Sequence, residues 1–347
     1  VNLAADTPIR PVSQGALFSC GADLKILRRT ATLFIKITVS LALLAYLFST
    51  TNTRALALRV RGGDILLLTL AIGLYAIVIA ISTWRWRILL RAQGYPAPLR
   101  HLSASYLVAT FFNNFLPSNI GGDLVRVRDG KQLTGSTTAS LAIVAIDRVL
   151  GFGALYALAM LAYVVGGPSV RRLAGAHVVI LALGFAFAML TYVFFRPGTA
   201  RRLMVISRLS RIHWVQEQFE TVQSAVHIYR EQIGSVWLAF WGSLALQTVL
   251  VVYYYAVAHA LRIDLPIDAC FLMVPLCNLI QAVPISFNGW GLREGIFVVY
   301  FKQLGLTQES ALAFSILGAG LIVLLSLSGA VVWTTRRPYP DLEAMDA

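Results

Sequence analysis

The sequence predicts an all-α polytopic membrane protein, with about six full transmembrane helices plus two re-entrant hairpins in an inverted repeat. Three observations predict it. The 347 residues are 58% hydrophobic and only 13% charged, with a mean hydropathy of +0.72, whereas a soluble domain carries about 25% charged residues. Several apolar runs reach the roughly 20 residues that a hydrocarbon core demands. Two shorter apolar segments, 101–116 and 269–284, each end at a proline followed by a glycine-rich polar stretch.

The elements follow in order. Residues 1–30 form a basic N-terminal segment with Lys25, Arg28 and Arg29 at its end. The run at 31–50 is too long for a signal-peptide core and lacks a small-residue cleavage site directly after it, so it is expected as an uncleaved first span. Further complete spans are read at 64–83, 138–163, 176–195, 236–260 and 309–333. The stretch "WRWRILLR", residues 84–91, reads most simply as a belt of snorkelling arginines and interfacial tryptophans. Gln247, Tyr253 and His259 read as interhelical contacts or interface residues.

Orientation comes from the short basic connectors. Arginines cluster in the N-terminal segment, at 84–100, in the longest connector at 196–235, and in the tail 336–347. The linkers 51–63, 164–175 and 261–268 carry fewer, although Arg54, Arg59 and Arg61 weaken the contrast. If 101–116 crossed fully, the basic 84–100 or 123–131 segment would face outward. A segment that enters and turns back at Pro117 keeps both inside, with both termini cytoplasmic in the cell membrane. The same logic makes 269–284 re-entrant from the opposite face. One domain, 31–335, then divides into halves of about 31–165 and 176–333 with the order span, span, re-entrant, span in each. "PSNIGGDLVR" and "PISFNGWGLR" echo one another around the two prolines, Pro117 and Pro284.

Non-helical backbone at membrane depth survives only where protein or a wet cavity satisfies its N–H and C=O groups. Pro117 ends a helix, Gly121 and Gly122 permit a turn, and Asn113, Asn114, Ser118 and Asn119 satisfy backbone groups or bind a polar ligand. A plain charged loop outside the bilayer is the alternative, since Asp123 to Lys131 reads as ordinary surface. In "AIVAIDRVLGFGA", Asp147 and Arg148 stand about 14 Å into a span. Each costs about 2.5–3.5 kcal/mol there unless paired. Adjacent helix positions diverge by about 100°, so the two cannot simply neutralise each other. Each needs a partner elsewhere, in a polar cavity or a structural ion pair. In "FNGWGLREG", Arg293 offers a planar fork for phosphate at a helix N-terminus, while Glu294 either joins it or caps that helix.

Other chemistries lack support. The formal charge of +13 sits in segments flanking apolar runs, a membrane-topology pattern rather than a nucleic-acid footprint. Cys20, Cys270 and Cys277 read as free thiols, because Cys270 and Cys277 stand about 10 Å apart along one helix. The five histidines show no metal-ligand spacing, and no P-loop, GxSxG or GxGxxG pattern occurs. No metal, cofactor or catalytic residue is expected.

The elements NNFLPSNIGGDLVR, then IDRVLG, then PISFNGWGLREG resemble, in order and approximate spacing, the transmembrane domain of lysylphosphatidylglycerol synthases and their stand-alone flippase-like relatives. The resemblance spans roughly residues 30 to 335. It implies a role in moving a polar lipid between leaflets. It carries over Asn114, Asp123, Arg126, Asp147, Arg148, Arg293 and Glu294 as headgroup-binding positions, and Pro117, Gly121, Gly122, Pro284, Gly289 and Gly291 as structural turns. The bifunctional members append a soluble aminoacyl-transferase domain, and the sequence stops at Ala347, so lysyl-lipid synthesis is not expected. The expected function is that of a flippase-like transporter for a phospho-, aminoacyl- or glycolipid, not an enzyme, with membrane phospholipids as partners. Two alternatives stand: an intramembrane transferase using Asp123 or Asp147 as base, or a membrane subunit recruiting a soluble synthase or glycosyltransferase through 196–235.

Overall fold

The computed structural model describes residue 38 and residues 40–116, 121–195, 229, 231–282, 286 and 288–336. Among these residues the protein is helical throughout, with no strand. Helices α1 (Ser40–Ser49) and α2 (Thr53–Arg61) lead into α3 (Ile65–Ala92), α4 (Leu99–Phe115), α5 (Gly121–Thr134) and α6 (Thr137–Val165). After the short α7 (Pro168–Arg171) come α8 (Ala176–Phe195), α9 (Ile233–Ala260), α10 (Ile267–Gln281), α11 (Leu292–Gln303) and α12 (Gln308–Thr335). Pro117, Pro284, Cys20 and most of the 196–235 connector lie outside the described residues.

Four helices, α3, α6, α9 and α12, are long and apolar enough to cross a membrane. Their outer faces show why the solvent is lipid. Ile65, Leu66, Leu161, Val164 and Val331 are well over half exposed, while the polar Asp147, Ser243, Glu294 and Ser315 are sealed inside. This is a multi-pass membrane protein. Helix α3 extends nine residues beyond the expected end at 83, so "WRWRILLR" is its last turns and not a flanking belt.

Short polar residues set the ends. Asp64 accepts from the N–H groups of Leu66 and Leu67, Ser136 from Ala139, and Thr307 from Ser310, each the N-cap of a long helix. The expected linker 51–63 is largely a helix capped by Asn52, with only Leu56 buried. The expected charged loop at 123–131 is likewise helical, within α5.

Helices α4 and α5 form a tight hairpin. The Gly122 N–H donates to Asn113 Oδ1 at 2.8 Å, and a Cβ at Gly122 would collide with the Ala109 carbonyl and the Asn113 side chain. Helices α10 and α11 form a second hairpin, joined by backbone in the left-handed region at Asn288, Gly289 and Gly291, with φ of 50°, 78° and 81°. Glycine suits that region because it has no Cβ. The first hairpin's α4 packs on α12, and the second's α10 packs on α6. Each hairpin therefore leans on the closing helix of the other half. Helices α3 and α9 pack directly against each other along the middle.

Candidate functional site

Helices α3, α4, α5, α6 and α9 surround a polar cavity of about 270 Å³. Each contributes one face. Ser82 and Arg85 come from α3 and Tyr106, Thr110 and Asn113 from α4, at spacings that align along a helix. Asp123 and Arg126 stand three residues apart on α5, Asp147 and Gly151 four apart on α6, and Gln247 projects from α9. Asn114 and Arg148 complete the polar lining.

Asp147 is the centre of the charge network. It is 1% exposed. Arg85 grips it with two parallel bonds, Nε to Oδ1 at 2.5 Å and Nη2 to Oδ2 at 3.0 Å. Arg126 donates its Nη2 to the same Oδ2 at 2.9 Å. The third donor of Arg85 reaches Ser243 Oγ at 2.8 Å. Bidentate, charge-assisted bonds of this kind are what offset the desolvation of a buried pair. Beside it, Arg148 donates Nε to Asp123 Oδ2 at 2.6 Å, and Arg126 Nη1 lies 3.5 Å from Asp123 Oδ1. The adjacent residues Asp147 and Arg148 thus find separate partners, as their divergence around the helix requires. The Arg126 guanidinium is also held between two aromatic faces, 4.8 Å from the Trp86 ring centre and 5.0 Å from that of Tyr106.

Among the described residues, three arginines and two aspartates meet here, an excess of one positive charge. Arg85 and Trp86, read from the sequence as interfacial, are buried, and Gln247 faces the cavity rather than only a neighbouring helix. The signal that could have found Arg85 was the unmatched charge of Asp147, which demanded a buried cation from another span.

Arg293 and Glu294 form a separate buried cluster outside this cavity's lining. Arg293 donates Nη2 to Glu294 Oε1 at 2.6 Å and Nε to Ser315 Oγ at 3.0 Å, and its guanidinium stacks over Trp290 at 4.9 Å. The other Glu294 oxygen accepts from the Gly291 N–H at 2.7 Å, which caps α11 with its own carboxylate. Gly121 and Gly122 are the first residues of the helix α5, and Gly289 and Gly291 lie in the second turn. The two turns touch: Asn288 Nδ2 donates to the Asn114 carbonyl at 3.3 Å. Among the described residues, no group of His, Cys, Asp and Glu has the makings of a metal site.

The family model described as the lysylphosphatidylglycerol synthase TM region matches residues 33–329. A UPF0104 membrane protein from Methanothermobacter thermautotrophicus is 26% identical over 253 residues, covering 67% of this chain and 74% of its own length. The matched region contains both hairpins and the whole ion network, so the chain belongs to the lysylphosphatidylglycerol synthase transmembrane-region family.

Proposed function

We propose that this protein carries polar lipid headgroups between the two leaflets of a bilayer, with the cavity at Asp147 as the headgroup's station. The observation that supports it is a charged, partly open cavity among helices whose outer faces are apolar. A headgroup can leave water only for a site that replaces its hydration, and buried ionisable groups within a span are the usual mark of such a path. Acyl chains stay in lipid while the headgroup meets arginines.

In this reading α3, α6, α8, α9, α12 and the expected span 31–50, to which α1 belongs, are the six spans, and the α4–α5 and α10–α11 hairpins are re-entrant. The two halves relate as an inverted repeat. Helices α3 and α9 are both 28 residues long, α4 and α10 are both preceded by proline N-caps, Pro98 and Pro266, and corresponding elements recur about 170 residues apart. The crossed packing of each hairpin on the other half's closing helix supports the same relation.

Leaflet exchange of fluorescent phospholipids in proteoliposomes tests the function. Wild type should accelerate exchange, and Arg148→Gln, which alters the most exposed arginine of the network, should slow it about tenfold. Folded protein that exchanges no phospholipid, or a variant that matches wild type, would overturn the proposal.

A further inference from the structure

We infer that the cavity selects an anionic headgroup bearing hydroxyls, the phosphoglycerol or phospho-sugar class, over a cationic aminoacyl headgroup. The inference rests on the lipid-transport reading for its source of ligand, but its chemistry follows from the cavity alone.

The carboxylates decide against a cation. Both oxygens of Asp147 are held by Arg85 and Arg126, and both oxygens of Asp123 face Arg126 and Arg148. Among the described residues, an ammonium group entering the cavity meets no carboxylate oxygen that an arginine does not already hold. An arriving phosphate meets the opposite situation. The Arg126 Nε is buried without a hydrogen-bond partner among the described residues, on a side chain only 4% exposed. Its plane is fixed between Trp86 and Tyr106, so it cannot turn away to find one. Buried donors are rarely left unpaired, because each lost bond carries the full desolvation cost. A ligand oxygen is the natural partner.

Hydroxyls are called for by a second orphan. The Gln247 side-chain oxygen, on the α9 side of the cavity, is also buried without a partner among the described residues. A phosphodiester without hydroxyls has only acceptors and does not satisfy it; a hydroxyl donates to it. The volume agrees: about 270 Å³ equals the share of roughly nine waters. That is room for a phosphate with a short polyol, not for acyl chains.

The test reconstitutes the full chain in vesicles with fluorescent phosphatidylglycerol, phosphatidylmethanol or lysylphosphatidylglycerol, with glycerol phosphate added as free competitor. Phosphatidylglycerol should exchange about tenfold faster than either of the others, the factor carried by one hydrogen bond to a buried partner. Gln247→Leu should lower its rate to that of phosphatidylmethanol, and Gln247→Glu should lower it further by repelling phosphate. Equal rates for all three lipids, or a preference for the lysyl lipid, would overturn the headgroup selection while leaving lipid transport standing. No exchange of any lipid, with saturable binding of glycerol phosphate that Gln247→Leu weakens, would uphold the chemistry and remove the lipid as its source. Absence of both exchange and binding by folded protein would overturn both.

Discussion

Among the described residues, Asp147 balances two guanidinium groups that have no other carboxylate of comparable burial beside them. Asp147→Asn keeps the shape and removes the charge, leaving Arg85 and Arg126 buried and poorly compensated. Breaking one side of a buried pair costs about 3–5 kcal/mol. The variant should therefore melt well below wild type in detergent, and restoring some stability with Arg85→Met in the same chain would identify uncompensated charge as the cause. Equal melting temperatures for Asp147→Asn and wild type would count against the network as drawn. At this scale the sequence revealed charge only where its surroundings were apolar. Asp147 and Arg148 stood out inside a hydrophobic run, and their need for outside partners followed from helix geometry. Arg85 did not, since it sits among other charged and aromatic residues, a setting as common at a membrane surface as in a core, and Arg126 was named only through the family resemblance.

Among the elements, the hairpins depend on glycines where helices touch backbone to backbone. A Cβ at Gly329 of α12 would strike the Leu107 carbonyl of α4, and one at Gly122 would strike that of Ala109. Gly329→Val should separate α4 from α12 and lower thermal stability by about 2 kcal/mol or more, whereas Gly320→Val, on the same helix with no neighbour within 4 Å, should leave the melting temperature nearly unchanged. A matching loss in both variants would remove close approach as the explanation. Helix existence was legible for the long apolar segments, because hydrophobic runs of this length permit little else. Helix ends were less so. The α3 terminus was misplaced because Arg85 and Trp86 imitate an interface, and α5 was missed because a polar sequence gives no sign that a neighbouring hairpin arm will receive it.

For the molecule as a whole, the proposed inverted repeat pairs elements whose chemistry differs. The Arg85–Asp147 contact between α3 and α6 has as its counterpart, about 170 residues on, the contact of Tyr253 on α9 with the Gly318 carbonyl of α12. The second half keeps the buried Arg293–Glu294 pair, and packs Tyr254, Phe297, Phe301 and Phe314 ring against ring. The proposed repeat predicts sidedness. With Cys20 replaced by serine and Cys270 and Cys277 buried, Arg91→Cys and Lys131→Cys should react with an impermeant thiol reagent from the cytoplasmic face. Asp264→Cys and Lys302→Cys should react only from outside. Labelling of residues 91 and 131 from opposite faces would show that the first hairpin crosses the membrane. The proposed repeat rests in the sequence on two rhyming turns; the chemical difference between its halves was not legible, because a tyrosine in the second half gives no hint that the matching position holds an arginine.

The pairing of Arg85 with Asp147 also orders events during synthesis. The two residues lie 62 positions apart, so at roughly 5–20 residues per second a ribosome needs about 3–12 s to make the partner. For that interval α3 must hold an uncompensated arginine near the bilayer with no help from α6. Its hydropathy of 2.7 is the highest of the four long helices, against 1.8 for α6. The surplus apolar character of α3 is thus matched to its place in the queue: it enters before its counterion is made, and the less apolar α6 arrives to a partner already waiting.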